Sequence, residues 1–390
     1  MRLLRFDVSK EWVIYIPKDM PVVKKYAEDL SHYIKLLRQK SGLSLKLPSI
    51  QEGNEPLSGH RFPRILLLNE GNGWEQTGFS WHIEKDRIEI YGESDRGLCN
   101  GVFDFLASLG FSWPEPNQEV LPPVNKAKPQ EYSAKEPYGY HHDKGNTSRR
   151  RLFLERKHPS SVWKSLIVWA VRNQIDSLVV SLYGSPLFHG KMQQEIANHP
   201  LIRFGRKMAG YCHLREDVFS LTQQYALTIE RGGWDLSLLV PRWYFLFNRE
   251  MFRMDSGKRD SQYNFCPTAP DTLNLISREA AKLFRAHPET LVYHLWPDRG
   301  HERAWCSCPT CRAFTREEQG RIAVNTAADV LARINPKGII SLYEDSSEGG
   351  DIILRPNIFK ISHLPGEMGA EADGWFSETR FNWAKSRKRP

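Results

Sequence analysis

The chain has 390 residues, 40% hydrophobic and 26% charged, an ordinary globular composition with length for two or three domains of about 100 to 200 residues each. An aromatic content of 12%, including 12 Trp, excludes a disordered chain, and apolar runs such as residues 65–68 and 179–182 fall far short of the roughly 20 residues a bilayer-spanning helix needs. The 54 Lys and Arg against 46 Asp and Glu give a net charge of +8, but no clustered basic face or nucleic-acid module accompanies it. The excess therefore reads as solvated surface charge, with an anionic substrate group as the useful remainder.

In chain order, residues 11–16 read as a strand. After Pro17, Val22, Val23, Tyr26, Ala27, Leu30, Ile34 and Leu37 trace one face of a helix, which should stop at Ser41-Gly42. Strands follow at 64–68, 81–84 and 87–91, then a helix at 96–109 that presents Leu98, Val102, Phe105, Leu106 and Leu109 and ends at Gly110. Residues 1–113 thus read as a small α/β sandwich. Residues 114–137 carry Pro114, Pro116, Pro122, Pro123, Pro129 and Pro137 without periodicity, the composition of a stiff linker.

Beyond the linker, strand-like and helical runs alternate. The reading is strand 138–142, helix 160–173, strands 177–182 and 207–213, helix 216–228, strand 235–240, helix 271–286, strand 291–296, helix 317–334 and strands 338–343 and 357–362. Such alternation implies parallel βαβ units, and residues 138–390 fit a (β/α) TIM-type barrel. An open doubly wound sheet competes, but the Gly-x-Gly-x-x-Gly run of its dinucleotide form is absent. About seven strands are legible and nothing after Pro365 reads as a final helix and strand, so the barrel is expected to be incomplete at its C-terminus.

Two sets of motifs carry a family resemblance. The run from Gly92-Glu93-Ser94-Asp95-Arg96-Gly97 to Phe105-Leu106, with Leu109-Gly110-Phe111-Ser112-Trp113-Pro114, is similar to the N-terminal domain that precedes the barrel in α-glucuronidases and β-hexosaminidases. Gly210-Tyr211-Cys212-His213, Pro241-Arg242-Trp243-Tyr244-Phe245, Cys266-Pro267 and Trp296-Pro297-Asp298 through Cys306-Ser307-Cys308-Pro309-Thr310-Cys311 resemble the barrel of domain-of-unknown-function family 4838. The resemblance implies a carbohydrate-active, glycoside-hydrolase-like protein with a carbohydrate ligand. Family members generally continue well past the strand near Tyr343, and this difference motivates the alternative of a non-catalytic carbohydrate-binding protein with a remnant barrel, or of a truncated reading frame.

Barrel chemistry sits where strands end on the carboxyl face. Glycosidic cleavage normally uses two carboxyl groups, and Asp298 and Glu344, each just past an apolar strand, are the expected pair. A helix cap or loop ion pair is the bland alternative for each. Trp243 and Trp296 could stack on sugar rings or serve as core aromatics. Arg242 and Arg299 could clamp an acidic sugar, and His142 and His213 could contact hydroxyls.

Cys306, Cys308 and Cys311 have the spacing to wrap one tetrahedral zinc, with a fourth ligand from Cys266, Cys212 or His301. Reduced packed thiols or a disulfide are the alternatives. The zinc would be structural, and no cofactor is expected for catalysis. The absence of a readable signal segment, with few cysteines, points to the cytoplasm. No nucleic-acid or membrane partner is expected.

Overall fold

The computed structural model describes residues 5–44, 46–53, 62–69, 76–84, 86–134, 138–141, 149–154, 160–180, 216–298, 304–344, 351–361 and 375–377. The chain divides into two units. One comprises Met1–Arg150, His158–Ser177 and Leu214–Thr228, the other Arg151–Lys157, Leu178–His213 and Ile229–Pro390. Among the described residues, no helix is long and apolar enough to cross a membrane.

In the first unit, β2 (Val13–Ile16), β3 (Ser49–Glu52), β4 (Arg64–Asn69), β5 (Phe79–Ile83), β6 (Arg87–Gly92) and β8 (Tyr138–His141) form a six-stranded sheet in the order β3-β2-β4-β6-β5-β8. β2, β3, β4 and β6 run parallel, whereas β5 is antiparallel to both β6 and β8. Helix α1 (Pro21–Lys40) starts on a proline, whose fixed φ suits the first turn, and buries Val23, Tyr26, Ala27, Leu30, Ile34 and Leu37.

Helix α2 (Asp95–Ser108) starts where Ser94 Oγ accepts the Gly97 N–H at 3.1 Å. The glycines of this motif have a steric reason. A Cβ on Gly97 would overlap the Gly78 carbonyl oxygen, and one on Gly92 would overlap the Leu98 backbone. Arg96 of the motif is wholly buried and donates to the carbonyls of Tyr225 and Val171, both in this unit. Asn100 donates to Asp176 at 2.9 Å.

Two elements differ from the sequence reading. The proline-rich stretch contains β7 (Glu131–Ser133), which pairs antiparallel with β1 (Arg5–Asp7) and buries Tyr132. The strand expected to open the barrel is instead β8, at the edge of the first sheet. An isolated short strand gives no sign of which sheet it joins, because pairing partners are set by distant residues.

The second unit is built on seven strands in the order β16-β15-β14-β11-β10-β9-β17. They are β9 (Arg151–Leu154), β10 (Ser177–Val180), β11 (Thr228–Gly233), β14 (Val292–Leu295), β15 (Ile339–Tyr343), β16 (Ile358–Ile361) and β17 (Trp375–Ser377). The pairs β11 with β14, β14 with β15, β15 with β16 and β17 with β9 are parallel. β16 and β17 end the order, and they are not paired with each other among the described residues.

Helices α3 (Ser160–Arg172) and α4 (Glu216–Gln224), which alternate in sequence with these strands, fall in the first unit. Helices α5 (Pro270–Ala286) and α6 (Arg316–Ile334) belong to the second and pack with Tyr293, Leu295, Ile340 and Leu342 into its main apolar core. α6 opens with a capping box between Thr315 and Glu318.

Three sequence expectations change here. Residues 235–240, expected as a strand, contain the 3-10 turn Leu236–Leu239, whose Leu236 and Leu239 enter the core. A short apolar run does not separate these outcomes. β11 appears at the end of the expected helix 216–228, where Ala226 with φ 48° breaks the helical path. β17 supplies a strand after Pro365 where none was legible. The strand expected at 207–213 lies outside the described residues. A small hairpin, β12 (Met254–Asp255) with β13 (Lys258–Arg259), interrupts the segment before α5.

Candidate functional site

Four cysteines of the second unit converge. The thiol sulfurs of Cys266, Cys306, Cys308 and Cys311 all lie within 4.8 Å of one another, and all four residues are buried. Cys266 Sγ is 3.8 Å from Cys308 Sγ and 3.7 Å from Cys311 Sγ. These separations match the edge of a tetrahedron with zinc–sulfur bonds of about 2.3 Å, roughly 3.8 Å. Cys266 thus joins the three cysteines read from the sequence. The other two candidates for the fourth ligand, Cys212 and His301, lie outside the described residues.

The local fold explains the convergence. Cys266 N–H donates to Met251 O and Ser307 N–H to Met254 O, drawing two distant loops together. The amide of Gln319 on α6 brackets the cysteine loop, accepting from Cys306 N–H and donating to the Cys306 and Cys311 carbonyls. Backbone N–H groups of Met254 and Cys308 reach Cys306 Sγ, Cys311 N–H reaches Cys308 Sγ, and Thr268 Oγ1 lies 3.1 Å from Cys311 Sγ.

Hydrogen bonds from Cys306 and Cys311 hold the Cys266 thiol far below the ordinary thiol range, while the same sharing pushes Cys306 up to about 11 and Cys311 higher still. A dication is the counter-charge that would let all four ionise together. Four protein sulfurs leave no open position, as in structural rather than catalytic sites.

Asp298 follows β14 by three residues. Its backbone is gripped at two points by Asn264, whose Oδ1 accepts the Asp298 N–H at 2.9 Å and whose Nδ2 donates to the Asp298 carbonyl at 3.1 Å. Arg242 is buried, with Nη2 donating to the Tyr263 carbonyl and lying 3.5 Å from Asp298 Oδ2. Its guanidinium is therefore directed at a carboxylate of this chain. Beside it in the same 3-10 turn, half-buried Trp243 stacks on Tyr244 with centroids 3.9 Å apart.

Glu344 comes directly after β15 and is 6% exposed. Arg321 of α6 donates to both its oxygens, Nε to Oε1 at 2.7 Å and Nη2 to Oε2 at 2.9 Å, with Lys360 Nζ 3.6 Å from Oε2. β14 and β15 are neighbours in parallel register, Val292 facing Ile339 and His294 facing Ser341. Asp298 and Glu344 thus leave the carboxyl ends of adjacent strands.

Inside the sheet lies a polar relay that the sequence did not disclose. Trp296 Nε1 donates to Ser341 Oγ at 2.9 Å, His294 Nδ1 is 2.5 Å from Ser341 Oγ, and His294 Nε2 and Arg151 Nε reach Glu230 Oε2 at 2.8 and 2.7 Å. Only one donor order satisfies every atom when the histidine is neutral: indole N–H to hydroxyl, hydroxyl to Nδ1, and Nε2–H to carboxylate. Burial pulls the His294 pKa down, against Glu230, which favours its charged form. Ser341, His294 and Glu230 superficially match a nucleophile triad, but all three are sealed from solvent and the serine oxygen already accepts the indole proton.

Next to this relay is an aromatic layer. Trp296, wholly buried, has Phe153 stacked at 6.0 Å, while half-buried Trp234 sits 5.6 Å from both Trp296 and Tyr343. The partly exposed ring is therefore Trp234, which follows Gly232 and Gly233 at the end of β11. The glycine pair was its available signal. Gly232 has φ 119° and a Cβ there would overlap the His294 carbonyl oxygen. His142, His213 and Arg299 lie outside the described residues.

No protein-family model matches the chain, and no curated protein matches it. Among solved structures, the chain is similar to the GH20 β-N-acetylhexosaminidase of Streptomyces coelicolor, with 10% identity over 92% of this chain and 66% of that one and a TM-score of 0.51. It is likewise similar to the chitobiase of Flavobacterium johnsoniae, with 12% identity over 96% of this chain and 54% of that one and a TM-score of 0.51. The chain spans between half and two thirds of the length of these two structures. At such identities the likeness is one of fold alone.

Proposed function

We propose that this chain is a carbohydrate-active protein that cleaves a glycosidic bond, with Asp298 and Glu344 as its carboxylate pair. The observation that carries the reading is the position of these two residues just past the carboxyl ends of adjacent parallel strands, where barrel enzymes place their working groups. Trp234 would offer the stacking face for a pyranose ring, and the resemblance of the sequence motifs to family 4838 supports the same ligand class. The similar structures include hexosaminidases, so aryl N-acetyl-β-hexosaminides and aryl uronides head the substrate panel. In this reading the four cysteines hold a structural zinc, and catalysis itself needs no cofactor.

A second reading, carbohydrate binding without cleavage, is favoured by one observation: both oxygens of Glu344 are already engaged by Arg321. An aryl glycoside panel separates the two. Asp298→Asn should lower turnover by at least about 100-fold with the melting curve retained, whereas Glu344→Gln, which leaves the buried Arg321 cation without its carboxylate, should lower turnover by a similar factor together with stability. Turnover unchanged in either variant removes that residue from the pair, and sugar binding without turnover in the parent chain selects the binding reading.

A further inference from the structure

We propose that Cys266, Cys306, Cys308 and Cys311 bind one tetrahedral zinc ion, and that this ion anchors Asp298 through Asn264. The inference concerns geometry and does not rest on the carbohydrate reading.

The chain of contacts is short. Cys266 is one corner of the sulfur tetrahedron. Two residues before it, fully buried Asn264 donates its backbone N–H to Ala304 O and closes the two-point grip on the Asp298 backbone. One residue earlier, Tyr263 holds φ at 55°, a left-handed conformation that is unfavourable for a bulky residue and persists only where the surroundings impose it. The Tyr263 carbonyl is where Arg242 Nη2 donates, and the same Nη2 lies 3.5 Å from Asp298 Oδ2. Residues 263–266 thus connect the sulfur cluster to both groups that hold Asp298.

A metal is the natural fastener for such a segment. Four buried sulfurs at tetrahedral spacing are drawn apart by mutual repulsion once ionised and together by a dication. With the metal bound, the strained Tyr263 backbone and the Asn264 amide are fixed from one side. Without it, Tyr263 can relax toward ordinary φ, and the Asn264 amide then leaves Asp298. Asn264 is a positioning residue in this scheme, acting on Asp298 through the backbone.

The test begins with elemental analysis of protein purified without added metal, which should give one zinc per chain. Its cobalt-exchanged form should show the charge-transfer and d–d bands of a tetrahedral tetrathiolate. Absence of zinc with every thiol titratable, or a tetrathiolate iron spectrum in the purified protein, overturns the zinc assignment. Cys266→Ser should lower the thiolate-to-cobalt intensity by about a quarter, and an unchanged spectrum overturns Cys266 as a ligand.

Hydrogen exchange then reads the anchoring. Chelation should speed exchange of the Asp298 amide by at least about tenfold while α2 keeps its protection, and Asn264→Ala should do the same with zinc still bound. Protection of the Asp298 amide that survives either treatment overturns the anchoring.

Discussion

The guanidinium of Arg321 grips Glu344 with two parallel hydrogen bonds, 2.7 and 2.9 Å long, and both side chains are nearly sealed from solvent. Removing the cation from such a pair strands a buried carboxylate, which typically costs about 3 to 5 kcal/mol. Arg321→Ala should approach that loss in urea unfolding, and Arg321→Lys should recover only part of it, because an ammonium cannot make the two-point fork. A loss below about 1 kcal/mol would show that Lys360 or water takes over the carboxylate.

Ser341 is the shared acceptor and donor of the interior relay. Ser341→Ala leaves the Trp296 N–H and His294 Nδ1 without that oxygen, at an expected cost of about 1 to 3 kcal/mol. Near-ultraviolet circular dichroism should change with it as the indole loses its fixed orientation. An unchanged spectrum and midpoint together would place the relay in a different hydrogen-bond order.

Burial lowers the His294 pKa in the folded chain, with Glu230 opposing and Arg151 assisting. The unfolded chain takes up a proton at its ordinary value near 6.5, whereas the folded chain takes it up at lower pH. The unfolded state therefore binds more protons below about pH 6.5, and stability falls as pH drops through that value toward the folded pKa. The slope due to this one group is at most about 1.4 kcal/mol per pH unit. His294→Gln should flatten unfolding stability between pH 6.5 and 5 relative to the parent, and equal slopes would contradict the neutral histidine.

Gly97 lies in the first turn of α2 against the Gly78 carbonyl. Alanine is the better helix former by about 1 kcal/mol, yet Gly97→Ala should destabilise by about 1 to 3 kcal/mol, since its methyl group has no room. Thermal melts decide the sign, and a stabilised variant would mean that the segment just before β5, which carries Gly78, yields easily.

Much of the fold was legible where amphipathic spacing is long. α1, α2, α5 and α6 emerge within a few residues of the expected bounds, because Leu30, Leu106, Ile276 or Leu331 each recur with partners on one buried face. Short strands were less legible, since the partner of β8 and the existence of β17 depend on pairing across long sequence separations. At the site, Cys306, Cys308 and Cys311 announced themselves by spacing, and Cys266 was one of three candidates for the fourth ligand. Asn264 and Arg321 carried no local pattern, and Trp234 had only the Gly232-Gly233 pair before it. Their roles arise from side-chain contacts across 34, 23 and 62 positions, which no window of sequence contains.

The backbone passes from one unit to the other after residues 150, 157, 177, 213 and 228. Neither unit can therefore be excised as a continuous gene fragment: a product beginning at residue 138 would take β8 away from the sheet it completes and would leave α3 and α4 without the partners they fold with. Inheritance, truncation and engineering must treat the two halves as one indivisible cassette, unlike beads on a string that can be shuffled at a single joint.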